Sequence, residues 1–185
     1  MLAEACASVA AQTLQPAEHL IYVDYKYDGP AALINRMVAA TQTPWISILA
    51  DDDLYDPDHL ETLAARSKKA DIVLSWSRIE GKEEKKQYRG KFNPDELLKK
   101  RDTGMRGCFM FRKSLWERVD GWREDVCLED WDFLARAHIK SARFAPVYRE
   151  TWTYRFHDTN CSHIYAAVIN KTPLPDKLYH LARHV

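Results

Sequence analysis

Three consecutive carboxylates, Asp51, Asp52 and Asp53, have the type and spacing needed to bind a cation. They directly follow an apolar run at 45–49, which predicts a buried strand. Negative charges crowded at a strand end repel one another, and this repulsion raises their pKa values and destabilises the fold. A divalent cation removes that cost. Hard carboxylate oxygens suit Mg²⁺ or Mn²⁺, which usually keep positions open for substrate phosphates.

The alternative for this cluster is a purely structural role at a helix start. Asp56 and Pro57 follow the three acids, and an acid before a proline is typical of the first turn of a helix. Acidic side chains there favour the helix dipole. That explains Asp56 but not the three carboxylates before it, so a metal site is the favoured interpretation.

The composition is that of an ordinary soluble domain. The chain has 185 residues, 46% of them hydrophobic and 29% charged, which fits one domain with a sizeable core. Basic and acidic residues number 27 each, so no overall field attracts nucleic acid or membrane. Segment 82–113 alone is basic, with eleven basic and five acidic residues. It predicts a solvated surface, with a phosphate-facing or lipid-facing role as the alternative.

Cysteine usage and hydropathy indicate a cytoplasmic protein. The four cysteines are far apart and form no C-x-x-C pair, which argues against a zinc site or a disulfide framework and fits a reducing compartment. No apolar run approaches the roughly 18 residues of a membrane span, and the N-terminus lacks a signal-peptide pattern. We therefore expect a cytoplasmic location, with a peripheral position at the membrane as the alternative.

Strands and helices are predicted to alternate in the first half of the chain. The apolar patterns predict helices at 2–14, 30–40 and 57–69 and strands at 19–24, 45–49 and 71–76. This alternation is typical of an α/β domain with a mostly parallel central sheet flanked by helices. Ligands bind such sheets beyond the carboxyl ends of the strands, where Asp24 and Asp51–Asp53 would both lie.

The second half is less regular. Segment 81–90 predicts a loop or hairpin, and the later patterns predict helices at 93–100, 114–119 and 128–138, a strand at 107–111 and one or two strands at 142–157. Residues 1–165 are expected to form the domain, and residues 166–185 a closing helix or tail.

Several segments together resemble the family 2 glycosyltransferases of GT-A fold. Segment 50–60 resembles their metal-binding segment, and 128–132 their acidic catalytic motif. Further segments match in the family's order: 7–14 its first helix, 21–24 its second strand, 111–122 the segment behind its acceptor site, and 154–157 a late motif that often holds diphosphate and metal. The resemblance runs from about residue 2 to residue 163.

The resemblance implies an inverting transferase with a Rossmann-like domain that moves a sugar from a nucleotide-diphospho-sugar to an acceptor hydroxyl by single displacement. The resemblance implies that Asp130 is the general base and that Glu129 orients the acceptor or the base. It implies nucleotide contacts from Asp24, Asp51 and Arg155. The residues implied to hold Mn²⁺ or Mg²⁺ are Asp51, Asp52, Asp53 and His157. A general base must lie within hydrogen-bond reach of the acceptor hydroxyl.

Several of these residues also have a purely structural explanation. Glu129 and Asp130 could merely begin a helix, with Asp132 and Arg136 as an ion pair. Arg155 could form a surface salt bridge, and a lone histidine is more often structural. Three tryptophans could line the sugar sites, although buried tryptophans more often belong to the core: Trp76, Trp131 and Trp152.

The chain departs from the family at its start, because it lacks the first strand and the nucleobase-binding loop. We therefore expect an N-terminally truncated domain. A second hypothesis is a catalytically inactive module that binds a nucleotide-sugar or supports a partner, with another chain or a homo-oligomer completing the sheet. The expected acceptor is a carbohydrate, a lipid-linked molecule or a protein. A nucleic-acid acceptor, bound by the basic segment, is the weaker alternative.

Overall fold

The computed structural model describes residues 1–26, 28–81, 89–99, 105, 107–126, 128–158 and 160. Several sequence predictions lie wholly or partly outside these residues: the loop at 81–90, much of the basic segment 82–113, and the closing helix or tail with its boundary after residue 165. Within the described part of the chain, no helix is long and apolar enough to cross a membrane.

Six helices and five strands form the described fold. The helices are α1 (Leu2–Ala10), α2 (Pro30–Ala40), α3 (His59–Ala64), α4 (Asp95–Leu98), α5 (Lys113–Arg118) and α6 (Glu129–Ile139). The strands are β1 (Trp45–Ser47), β2 (Leu54–Tyr55), β3 (Ile72–Gly81), β4 (Phe109–Arg112) and β5 (Phe144–Phe156). Helix α2 has the predicted bounds, whereas α3 starts two residues later than predicted and a short 3-10 turn, Ser67–Lys69, follows it.

The five strands form one mixed sheet in the order β1-β4-β3-β5-β2. The α/β class is confirmed, but the prediction of a mostly parallel sheet is wrong for the described strands. Only the β3–β5 pairing is parallel, while β4 runs antiparallel to both β1 and β3 and β2 runs antiparallel to β5. Strand–helix alternation predicts direction for strands joined by a crossover helix. It does not show that β4, from later in the chain, inserts between β1 and β3.

The β3–β5 pair forms the long axis of the sheet and contains a bulge. Ser75 lies opposite Val147, but the next residue of β3, Trp76, lies opposite Glu150. A second shift follows, because Ser77 lies opposite Trp152, so Tyr148, Arg149 and Thr151 are extra residues on β5. A bulge of this kind bends a strand and redirects its side chains.

Gly81 ends the β3–β5 ladder, where it pairs with Phe156. Its φ of 134° suits glycine, and a Cβ added there would lie 2.1 Å from the Phe156 carbonyl oxygen. Only glycine allows the two backbones to meet this closely at the end of the ladder.

Aromatic rings fill the main core between the sheet and α6. Trp122 stacks on Phe133 with ring centroids 3.8 Å apart and an angle of 7°, and Phe109 and Phe111 contact both rings. Aromatic pairs in contact add roughly 0.5–1.5 kcal/mol to the free energy gained from burying their area. The core thus fixes α6, and with it the acids of its first turn, relative to β4.

The strand predicted at 19–24 does not form. Leu20, Ile21, Tyr22 and Val23 follow one another with 45–55% of their surface exposed, and none is in a strand. Their composition favours a strand, but a strand needs a neighbour that supplies ladder hydrogen bonds. In the described residues, no strand pairs with this segment.

His59, at the start of α3, is fully buried and links α3 to β5. Its Nδ1 atom lies 2.7 Å from the Thr151 hydroxyl, and its ring stacks on Tyr55 at 3.9 Å. Burial is the main reason that its pKa falls to about 4, from an ordinary value of 6.5. His59 is therefore neutral in the folded protein near neutral pH.

Acidification should destabilise the protein through His59. Between pH 6.5 and 4 the unfolded chain binds a proton at His59 that the folded chain does not. The contribution of His59 to the free energy of unfolding should therefore fall by up to about 3 kcal/mol as the pH drops through this window, whereas Asp53, whose raised pKa acts in the opposite direction, contributes equally to wild type and His59→Phe. Urea unfolding at pH 7, 5.5 and 4.5 tests this, with His59→Phe expected to lose markedly less stability on acidification. Exposed His19, changed to Phe, is the control. Equal acid losses in wild type and His59→Phe would contradict the assignment.

Candidate active site

Asp52 joins the acidic segment to the end of β5. Its Oδ2 atom lies 3.0 Å from Nε2 of His157, and the amide of buried Asn160 donates to the same oxygen at 2.9 Å. Both Asp52 and His157 keep about a fifth to a quarter of their side-chain surface exposed. The structure thus brings together two segments that are a hundred residues apart in sequence and that the sequence had singled out separately.

Asp53 points into the protein and anchors the segment from within. It is 4% exposed, and its Oδ1 atom accepts the main-chain N–H of Arg155 at 3.0 Å. Burial is the main cause that raises its pKa to about 7, and the charges of Asp52 and Asp51 add to the shift. Asp51 is exposed. The crowding expected from the sequence is therefore present, with Asp53 as its buried member.

Arg155 holds the segment from the outside. Its guanidinium donates to the Asp52 carbonyl oxygen and to Glu4 of α1, the latter at 2.6 Å. This ion pair is the salt bridge that the sequence left open as the alternative to a phosphate contact. It lowers the pKa of Glu4. A contact between Arg155 and a nucleotide stays a prediction.

The Asp52–His157 pair suits a divalent cation in spacing and in donor chemistry. Nε2 of His157 and Oδ2 of Asp52 are hydrogen-bonded to each other at 3.0 Å, and neighbouring ligands of an octahedral divalent ion would have about the same spacing. Among the described residues, no group of three or more His, Cys, Asp or Glu side chains forms a complete metal site. Metal binding by Asp52 and His157 therefore stays a prediction.

Asp130 and the acidic segment both lie within electrostatic range of buried Cys108. The pKa of the Cys108 thiol is raised well above its usual value, first by burial, then by the charge of Asp53, with Asp130 and Asp52 contributing further. Cys108 also forms a hydrogen bond with the backbone of Ala50. These interactions place both acidic motifs around the start of β4. Nothing in the sequence indicated that Cys108 lies near both motifs.

The carboxylate of Asp130 is oriented by the aromatic core. The indole N–H of Trp122 donates to its Oδ1 atom at 3.1 Å, and Trp122 is itself held by its stack on Phe133. Leu128, just before α6, has a φ of 63°. Such a left-handed backbone is costly for a branched residue and is enriched at functional sites. Glu129 and Asp130 are both partly exposed at this turn.

The remaining predicted residues have structural contacts. The Asp132–Arg136 ion pair is confirmed, with a distance of 2.7 Å. Trp131 and Trp152 are buried in core clusters. Asp24 accepts main-chain N–H groups of Asp28 at 3.0 Å and Gly29 at 2.9 Å, so it orders the loop into α2. Its contact with a ribose or nucleobase stays a prediction.

Asn160, which is buried and contacts Asp52, was not predicted as a site residue from the sequence. A single asparagine three residues after His157 has no spacing that distinguishes it from a loop residue. Its role becomes visible only when the end of β5 meets the acidic segment, since its amide then also donates to the Arg155 carbonyl at 3.1 Å.

The chain is similar in fold to solved glycosyltransferase structures, and this likeness confirms the expected GT-A-like fold. The Staphylococcus aureus TarS 1–349 structure with UDP-GlcNAc has a TM-score of 0.67 and 12% identity, over 86% of this chain and 56% of that one. The TarS 1–349 complex with UDP has a TM-score of 0.65 and 13% identity, over 84% of this chain and 56% of that one. Mannosyltransferase PcManGT from Pyrobaculum calidifontis, with GDP-Man and Mn²⁺, has a TM-score of 0.50 and 12% identity, over 92% of this chain and 50% of that one.

The chain thus spans about half the length of these solved proteins. Among curated protein sequences, none matches it significantly. The model of the family described as glycosyl transferase family 2 matches residues 3–119, well over half of the chain. With the fold and this match together, the chain belongs to glycosyl transferase family 2.

Proposed function

We propose that this domain transfers a sugar from a nucleotide-diphospho-sugar to an acceptor hydroxyl, with a divalent metal and with inversion at the anomeric carbon. The observation that supports this most is the junction of Asp52 with His157 and Asn160, with Asp130 near enough to the same buried Cys108 for its charge to raise the pKa of that thiol. Such a transfer needs two separate acidic sites, one for the diphosphate and one for the acceptor. TarS with UDP-GlcNAc and PcManGT with GDP-Man and Mn²⁺ support the donor class.

The donor side would use the acidic segment and the end of β5. Asp52 and His157, with Asp51 exposed beside them, would hold Mn²⁺ or Mg²⁺ against the diphosphate. The cation would neutralise the negative charge that develops on the leaving nucleotide. Asp53 and Arg155 would keep the segment in place through the contacts described above, and Asp24 and Asp51 would contact the nucleotide.

The acceptor side would use the first turn of α6. Asp130 would accept the proton of the acceptor hydroxyl while the acceptor oxygen bonds to the anomeric carbon from the face opposite the diphosphate. The bond from that carbon to the diphosphate oxygen breaks in the same step, and the nucleoside diphosphate leaves with the electron pair. Glu129 would orient the acceptor or the base. The hydrogen bond from Trp122 keeps the Asp130 carboxylate aimed in one direction.

The alternative is a module that binds the nucleotide-sugar at the same donor site without catalysis. It predicts donor binding with no hydrolysis and no transfer. In both cases the acceptor is a carbohydrate, a lipid-linked molecule or a protein, and a partner chain or second copy is a further proposal. The spacing of the cysteines supports a reducing, cytoplasmic compartment.

Calorimetry with UDP and with GDP, each with and without Mn²⁺, tests the proposal directly. We expect one nucleoside diphosphate to bind at least about tenfold more tightly with Mn²⁺, because the cation offsets the repulsion between diphosphate and Asp51–Asp53. A donor-hydrolysis assay with the matching nucleotide-sugar then separates the two functions. Binding with no hydrolysis or transfer favours the module, and an absence of binding with either nucleotide contradicts both.

A further inference from the structure

The end of the sheet that lies opposite Asp52 is basic. Asp52 follows β1 and contacts the residue after β5, whereas β3 and β5 begin, and β4 ends, at the other end of the sheet. Three chain segments meet there and form what we call the basic end: 66–71, 112–120 and 140–143. Main-chain hydrogen bonds join them, from Arg112 to Asp71 at 3.0 Å and from Asp71 to Arg143 at 2.8 Å. Together they contain eight basic and three acidic residues, a net charge of +5.

Three guanidinium groups share the carboxylate of Asp71. Arg143 donates two hydrogen bonds to it, each at 3.1 Å, and Arg112 and Arg118 each lie 3.9 Å from it. The hydrogen bond from Arg143 is the main cause that lowers the pKa of Asp71, so this carboxylate stays ionised near neutral pH. One negative charge therefore faces three positive ones. Arg143 keeps 62% and Arg118 44% of its side chain exposed, so the excess charge faces solvent.

A short 3-10 turn adds further cations beside this cluster. Lys68 and Lys69 lie in the turn, Arg66 directly precedes it, and all three are exposed. Among the described residues, none of the three has a carboxylate partner. The Arg112 guanidinium donates to two main-chain carbonyls at and just after the turn, at 3.4 and 2.9 Å, and this fixes the turn against β4. The basic end therefore carries unpaired positive charge on a fixed backbone.

The two ends of the sheet have opposite charge. Strand β5 connects them, because it starts directly after Arg143 and ends directly before His157, the partner of Asp52. Its 13 residues span at most about 40 Å, at about 3.3 Å per residue. The chain as a whole has a formal net charge of zero. An anionic surface would therefore attract this protein by one end only.

We propose that the basic end docks the protein on an anionic lipid bilayer, with Asp52 and His157 held at the opposite end, away from the lipid. Clusters of about four to eight Lys and Arg side chains are attracted to the anionic lipids of a membrane surface, and the basic end has eight. A bilayer also requires no pocket and no match of shape, only charge spread over a surface. This docking does not depend on the proposed reaction.

Nucleic acid is the competing polyanion, and the basic end lacks a feature that favours it. Proteins that bind single strands stack the bases on exposed aromatic rings. Among the described residues, the exposed aromatic side chains are Tyr22, Tyr25 and Tyr148, and none belongs to the basic end. Trp45 begins β1 at this end, but the Arg112 guanidinium covers its ring at 4.4 Å. A half-buried indole there suits the headgroup level of a membrane, where tryptophan is enriched.

The test is co-sedimentation, without nucleotide, with vesicles of phosphatidylcholine alone and of equal parts phosphatidylcholine and phosphatidylglycerol. We expect binding to the anionic vesicles only, and we expect a tenfold rise in salt concentration to abolish it, because salt screens the attraction. Each Lys or Arg near such a surface contributes a factor of about five in affinity. Lys68→Glu combined with Lys69→Glu should therefore weaken binding at least about 25-fold.

Lys26→Glu combined with Lys99→Glu is the matched control. Both lysines are exposed and lie outside the basic end, and the change in net charge is the same. This variant should bind within about fivefold of the wild type, because charges more than a Debye length from the bilayer are screened. Unchanged melting temperatures show that both variants fold.

Three results would overturn the docking proposal. Equal binding to neutral vesicles would indicate apolar adsorption. Binding retained by the Lys68 and Lys69 variant would place the contact on another segment, such as the lysines at 82–86. Tighter binding of a short RNA or DNA than of anionic vesicles would assign the basic end to nucleic acid. The same variant should bind nucleoside diphosphate and Mn²⁺ as the wild type does, so a failure of docking is distinguished from a failure of the donor site.

Discussion

Changing Asp52 to alanine is expected to abolish the metal-dependent part of nucleoside diphosphate binding and to lower sugar transfer by at least about 100-fold. The change removes the carboxylate that meets both His157 and Asn160. Stabilisation of a leaving diphosphate by a cation amounts to several kcal/mol, and each 1.36 kcal/mol corresponds to a tenfold change in rate. Calorimetry with and without Mn²⁺, followed by a transfer assay at saturating donor, measures both effects.

Asp95→Ala is the matched control for this change. Asp95 also pairs with a histidine, His138, at 2.9 Å, but on α4 and α6. Its removal tests the loss of an aspartate–histidine pair without touching the acidic segment, and we expect donor binding to be unchanged. If Asp52→Ala retains metal-dependent binding, the cation is held elsewhere and the proposed donor site is wrong.

Changing Asp130 to asparagine is expected to lower the turnover number by about 10²–10⁴-fold while donor binding stays the same. Asparagine has nearly the same shape, and its amide oxygen still accepts the Trp122 N–H. It does not accept a proton from the acceptor hydroxyl, and general-base catalysis is typically worth a factor of this size. Single-turnover kinetics with a saturating donor separates this chemical step from binding.

Asp132→Asn provides the comparison on the same helix. Asp132 is two residues further along α6, and its carboxylate pairs with Arg136 at 2.7 Å. The substitution is the same, aspartate to asparagine, but it weakens the ion pair with Arg136 and leaves Asp130 in place. We therefore expect a loss of stability but turnover within about tenfold of the wild type. A comparable loss of turnover in both variants would indicate that Asp130 acts through the stability of α6 and not as the base.

The elements around the acidic segment were predictable from sequence because their signals are local. An apolar run, three acids and a proline lie within fifteen residues, and β1, Asp51–Asp53 and α3 follow in that order. The first turn of α6 was equally predictable, since acids cluster at its start. The pairing of Asp52 with His157 was only implied by the family resemblance, because it joins residues that are 105 apart.

The structural predictions that were wrong are those whose outcome depends on tertiary contacts. Residues 19–24 have the composition of a strand, but whether a strand forms depends on a neighbour. The insertion of β4 between β1 and β3 is a choice of partner, and strand composition does not encode partners. Asn160 and Cys108 are of the same kind. Each gains its role from backbone that a distant part of the chain supplies.

The exposed segment Leu20–Val23 also has a consequence for handling the protein in solution. Four consecutive exposed apolar residues that favour strands, with no proline and no charge among them, have the composition of segments that promote edge-to-edge association, so we expect this segment to promote it here. The chain has a formal net charge of zero at pH 7, so no electrostatic repulsion keeps the molecules apart there. Colloidal stability should therefore be lowest near neutral pH and improve about two pH units above it.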